Sequence, residues 1–222
     1  MRFTLLSVAL VAVGNAYAFR PEVAGTWKFW LGTGGPYLVL AALAVYKLYD
    51  DGTLVDKLKP RWGDLSIGAL TAAVLLMASW AGRAILAPAD SPRHGWLMRV
   101  YLQVGPSEAL QRSVALTALV LLIPLLEELT WRGLCMTELE EKFGTRRAAP
   151  LSAVFYALSL GPTVVTLADP TAGPNPLLVL AALGCGLLWG FAATLTKRLP
   201  PVIFSHMAFT YFSAVQFRWP GM

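Results

Sequence analysis

The sequence predicts an all-α fold: a polytopic integral-membrane helix bundle of about seven transmembrane helices, at roughly 20 residues per span. Three observations predict it. The 222 residues are 56% hydrophobic and only 14% charged, with a mean hydropathy of +0.58, too apolar for an ordinary soluble domain. The apolar residues gather into stretches of membrane-spanning length. An open strand cannot satisfy its backbone in lipid, which leaves helices to do the spanning.

Taken in order, the first stretch is "MRFTLLSVALVAVGNAYAFR". Arg2, an apolar core and Ala16-Tyr17-Ala18 have the form of a cleaved signal peptide, and equally of a short first span; in a polytopic chain the retained span is favoured. Further spans are expected near 34–49, 65–86, 112–131, 148–167, 176–195 and 200–217. Gly32, Gly34, Gly35 and Pro36, then Pro88 and Pro92, then Pro170, Pro174 and Pro176, then Pro200 and Pro201 read as breakers between them. The stretch 94–104, "HGWLMRVYLQV", places Trp96, Leu97, Val100, Tyr101 and Val104 on one side and reads as an interfacial helix. Two parts follow: residues 1–111, with N-terminal transmembrane helices and the interfacial helix (1–18 doubling as a signal-peptide candidate), and a core of helices over 112–217.

The formal net charge is +5. In a chain this apolar, excess Lys and Arg set topology, and no basic-aromatic groove pattern points to nucleic acid. Lys142, Arg146, Arg147, Lys197 and Arg198 lie in connectors on one side, whereas the loop after 167 has Asp169 and no base. The expected orientation has the N-terminus and the basic connectors inside and the C-terminus outside. Cys135 and Cys185 have no CxxC or histidine neighbour and read as small packing residues.

The chemistry gathers at "PLLEELTWRG", residues 124–133, which follows the apolar run Val114 to Leu126. Ionisable groups in a span are costly and mark function by default. Glu128 and Arg132 are four apart with the acid N-terminal, the favoured helical ion-pair order. Glu127 points about 100° away. It has no such partner on its own helix, so one carboxylate is structural and the other is free to act as a base on water. The plain alternative is that the pair marks the membrane surface. In 148–167, Ser152, Tyr156, Ser159 and Thr163 recur at helical spacing, as do His206, Thr210 and Ser213 in the last span. Small hydroxyls are common packing glue, but a mid-span histidine is rarer and faces the protein interior. Three polar faces beside a free carboxylate describe a wet cavity inside the membrane.

"EELTWRG" resembles the Glu-Glu-x-x-x-Arg motif of the CPBP family, the CAAX prenyl protease 2-like and bacteriocin-processing intramembrane proteases, also called the ABI family. "FYALS" (155–159) falls where that family has Phe-x-x-x-His, and "HMAFT" (206–210) where it has His-x-x-x-Asn. The resemblance covers roughly 112–217, which makes that part the expected catalytic core. It implies that Glu127 activates water, that Glu128 and Arg132 support it, and that His206 stabilises the oxyanion. Ser159 stands where the family has its second-motif histidine and Thr210 where it has asparagine. The only other histidine, His94, is expected on the opposite side. A serine hydroxyl can hydrogen-bond water but is a poor base, so Ser159 would help position the water and Thr210 would assist His206. The function this implies is a glutamate-type intramembrane endopeptidase cutting a membrane-embedded or lipidated protein segment. It would sit in the lipid bilayer, with a bacterial cytoplasmic membrane expected. No cofactor is expected, with a divalent metal such as zinc as the alternative. A catalytically impaired member acting as a membrane binding or immunity protein is the competing reading, and a small transporter ranks last.

Overall fold

The structure, a computed structural model, describes residues 1–216. Twelve α-helices run along the described residues: α1 Arg2–Ala18, α2 Trp27–Asp50, α3 Leu54–Leu58, α4 Asp64–Leu86, α5 His94–Val104, α6 Ser107–Arg112, α7 Val114–Glu128, α8 Met136–Phe143, α9 Thr145–Ser159, α10 Thr163–Thr166, α11 Leu177–Thr196 and α12 Pro200–Tyr211. A π-helical segment, Leu129–Cys135, joins α7 to α8 without a break, and a second one, Phe212–Gln216, follows α12. The protein is an all-α membrane bundle. Among the described residues four stretches are long and apolar enough to cross a membrane: Trp27–Asp50, Asp64–Leu86, Val114–Phe143 and Leu177–Thr196; Arg2–Ala18 is apolar but shorter. The remaining expected spans correspond to shorter helices, α9 and α12. Residue 217 and the expected external C-terminus lie outside the described residues.

Two expected boundaries move for physical reasons. The helix expected from 34 begins at Trp27, because Gly32, Gly34, Gly35 and Pro36 do not break it. Gly32 instead lets α1 approach: a Cβ there would lie 2.9 Å from the Ala18 Cβ, and one on Gly14 would lie 2.6 Å from the Gly32 carbonyl oxygen. The span expected to close at 131 continues to Phe143. The Glu-Glu pair therefore sits midway along a 30-residue helical rod rather than at its end.

The main core unites both parts of the chain. Leu40 and Ala44 of α2 share it with Leu126, Trp131, Ala149 and Trp189. Helix α9 packs on α11, α4 on α12, and α2 on α7 and the π segment. The α9–α11 contact is close because small residues face each other at four-residue spacing. A Cβ on Gly186 would come 3.1 Å from Ala153, and one on Gly190 would come 3.2 Å from the Ala149 Cβ.

The connectors define two ends. At one, Leu199 N–H donates to the Lys57 carbonyl at 2.9 Å, and Arg198 pairs with Asp64 at 2.6 Å. Thr4 donates from its N–H and its hydroxyl to Glu138, at 2.9 and 2.7 Å. At the other end the amphipathic α5, matching the expected 94–104, docks on the loop before α11. Trp96 Nε1 donates to the Gly173 carbonyl at 3.1 Å and Asn175 Nδ2 to the Trp96 carbonyl at 2.9 Å. Asp169 closes this loop by accepting the N–H groups of Ala172 and Thr171, which hold its carboxyl below the usual range.

Candidate active site

Glu127 and Glu128 end α7, and the π segment that follows buries all seven of its residues. Single π turns inside α-helices recur at functional sites. Here the segment carries Trp131 and Arg132 into the middle of the bundle. Arg132 Nη1 donates to Glu128 Oε1 at 3.1 Å, and its Nη2 donates to the Gly186 carbonyl at 3.0 Å. The close α9–α11 approach brings that carbonyl within reach. The guanidinium also lies 5.5 Å from the ring centres of Tyr156 and Trp189, held between two π faces.

The two adjacent carboxylates end in different surroundings. The Glu128 side chain is fully buried, and its Oε1 faces both Arg132 and His206 Nδ1, the latter at 2.8 Å. The Glu127 side chain is 15% exposed and lines a cavity of about 260 Å³. Its Oε2 accepts the Tyr156 hydroxyl at 2.8 Å and faces His206 Nε2 at 3.5 Å. One imidazole thus bridges both glutamates. Paired with a guanidinium, Glu128 is an acceptor, so His206 Nδ1 carries its hydrogen and Nε2 is the atom turned toward Glu127. His206 is fixed by stacking on Trp189 (ring centres 3.7 Å apart), whose Nε1 donates to Ser205 Oγ at 3.0 Å.

Of the six residues singled out from sequence, the structure brings Glu127, Glu128, Arg132 and His206 together, and Thr210 lines the same cavity. Ser159 does not join them. It is fully buried, and its hydroxyl donates to the Tyr156 carbonyl at 2.7 Å, three residues back. The reason is local: α9 ends at Ser159, and a serine in a last turn satisfies itself on its own helix. The expected water-positioning hydroxyl is therefore turned into the backbone. The other small hydroxyls of its stripe also go to packing. Ser152 donates to the Trp131 carbonyl, and Thr163 lies beyond the helix end and donates to Leu160. His94 is on α5, the helix that docks on the loop at the other end from Lys57 and Arg198.

Tyr156 is the residue that sequence reasoning passed over, having noted it only as one stripe member among smaller hydroxyls. Its length was the available signal. Tyr37, which accepts Trp131 Nε1 at 3.1 Å, and the pair Gly186 and Gly190 were not singled out either. The glycines could have been found from their four-residue spacing.

The cavity wall beyond Glu127 is apolar and partly aromatic. Phe19 comes from just past the end of α1, Phe29 and Trp30 from α2, Val104 from α5, and Leu160 and Leu178 from the α9–α11 side. As a metal cage the donor set is thin. Among the described residues no group of three His, Cys, Asp or Glu side chains is arranged to hold a metal ion, and zinc wants three or four protein ligands.

No curated protein and no solved structure matches the chain. A family model described as type II CAAX prenyl endopeptidase Rce1-like matches residues 109–212, the segment that holds both glutamates, Arg132, Tyr156 and His206. That match agrees with the family whose Glu-Glu-x-x-x-Arg motif "EELTWRG" resembles.

Proposed function

We propose that this integral membrane protein is a CAAX-type endopeptidase of glutamate type. The observation that carries the reading is the unequal fate of the two glutamates: Glu128 sealed among Arg132 and His206, Glu127 open to an apolar cavity. Glu127 takes a proton from water as the water oxygen bonds to the scissile carbonyl carbon. The carbonyl oxygen becomes an oxyanion. His206 Nε2, oriented by Glu128 and within 3.5 Å of Glu127, is placed to share that proton, to stabilise the oxyanion once protonated, and to hand the proton to the leaving amine as the C–N bond breaks. Thr210, one turn on, assists from the same wall. The order of events resembles a serine hydrolase dyad only in that a buried carboxylate fixes an imidazole tautomer. No step needs a metal, and the residues present suit one poorly.

The apolar, aromatic walls suit a membrane-embedded or lipidated segment, and the matching family's activity on CAAX prenyl substrates points to prenylated C-termini. In this reading 112–217 supplies the reacting groups, while α1, α2 and α5 supply cavity wall. The end carrying Lys57, Lys142 and Arg198 faces the cytoplasm, following the Lys and Arg bias. The test is cleavage of a prenylated CAAX peptide by the purified protein in bilayers, read by mass of the products. Glu127→Gln, isosteric but unable to accept the proton, is expected to give none. Ser159 is the one feature that favours a non-catalytic binder: wild type that retains the peptide without cutting it, indistinguishably from Glu127→Gln, would establish that reading instead.

A further inference from the structure

The position where the family motif has histidine contributes nothing to the cavity here, yet α9 still reaches Glu127. It does so one turn earlier. Tyr156 donates its hydroxyl to Glu127 Oε2 at 2.8 Å and lines the same cavity. We propose that Tyr156 is the positioning residue through which α9 acts on the reaction, taking over in this chain the support of the base that Ser159 cannot give.

The surroundings hold the phenol in one place. Its ring meets Trp131 at 5.4 Å between centres and carries the Arg132 guanidinium at 5.5 Å. A Cβ on Gly186 would come 3.3 Å from the Tyr156 Cδ1, so the absence of a side chain there is what admits the ring. Tyr156 is only 7% exposed, which confines the phenol beside the carboxylate. With Oε2 accepting from Tyr156 and facing His206, Oε1 is the oxygen left to receive the proton from water. The phenol keeps its own proton throughout. It fixes which Glu127 oxygen works and holds the carboxylate plane.

This inference rests on Glu127 being the base. The experiment compares kcat and KM for one prenylated peptide among wild type, Tyr156→Phe, Tyr156→His, Ser159→Ala and Glu127→Gln, normalised to folded protein by thermal melting. Tyr156→Phe keeps the ring contacts and removes only the donor. A hydrogen bond to a charged group of this kind sets an expected fall in kcat of about ten- to hundred-fold, with KM unchanged. Tyr156→His restores a donor and recovers part of the loss, whereas a merely structural role for the ring would make it worse than Phe. Ser159→Ala stays within about two-fold, since its hydroxyl donates to the Tyr156 carbonyl and does not reach Glu127. Glu127→Gln inactive with Tyr156→Phe at wild-type kcat overturns the inference and leaves the base in place. Active Glu127→Gln overturns the reading on which it rests. A loss in Ser159→Ala equal to that in Tyr156→Phe would return the role to position 159.

Discussion

Helices α9 and α12 present the same kind of pattern in sequence, a stripe of polar residues at helical spacing, and the fold uses the two in opposite ways. On α12, His206 is held between Glu127 and Glu128 and Thr210 lines the cavity. On α9, Ser152 and Ser159 spend their hydroxyls on backbone carbonyls, and only Tyr156 reaches the carboxylate. The difference is one of reach. A serine or threonine hydroxyl in a span can always find a carbonyl three or four residues back or across a close contact, so its presence says little about water. A histidine or tyrosine carries its polar atom beyond the backbone's reach and must find a partner elsewhere, which makes it the better marker of a site.

The largest effect should come from the ion pair that both helices lean on. Arg132→Ala leaves the Glu128 carboxylate buried without its cation, and loss of one partner of a buried pair costs about 3–5 kcal/mol. Folded yield and melting temperature in detergent should fall together with turnover; wild-type stability would mean that Glu128 has another counter-charge. Gly186→Leu comes next. It forces a branched side chain into a contact where even a Cβ would be 3.1 Å from Ala153, separating α9 from α11 at a cost of roughly 1–3 kcal/mol. Gly184→Leu is the control, because nothing lies within 4 Å of a Cβ there.

Smaller effects separate the two stripes directly. Thr210→Val keeps shape and removes a cavity hydroxyl, so kcat should fall by about three- to ten-fold, within the range of a single neutral hydrogen bond. Ser159→His, which restoring the family motif would suggest as a gain, should instead overpack a fully buried position and lower the melting temperature without raising kcat. A rate increase in that variant would show that position 159 can turn into the cavity.

Much of the bundle was legible because hydropathy and length do not depend on partners. The short helix expected at 94–104 and the spans near 65–86 and 176–195 fall within a residue of α5, α4 and α11. What was illegible depended on contacts between distant segments. Gly32 and Pro36 look like breakers until α1 is laid against them, and Pro in a membrane helix is tolerated where neighbours compensate. The helix runs on past Glu128 because the π segment finds internal partners for its charge in Gly186, Tyr156 and Trp189, and those partners sit more than 20 residues away in sequence. Spacing within one helix made the Glu128–Arg132 pair visible. It could not show that Glu128 also orients His206, 78 positions on.

One paired measurement tests whether the two neighbouring glutamates do different work: peptide turnover and thermal melting of Glu127→Gln and Glu128→Gln beside wild type, in the same bilayer. Glu127→Gln should melt like wild type and cleave nothing. Glu128→Gln should melt well below it, because Arg132 loses its only carboxylate partner among the described residues, and should lose turnover as His206 loses its orienting acceptor. Cleavage at the wild-type rate by Glu127→Gln, or a Glu128→Gln protein as stable and active as wild type, would contradict the division.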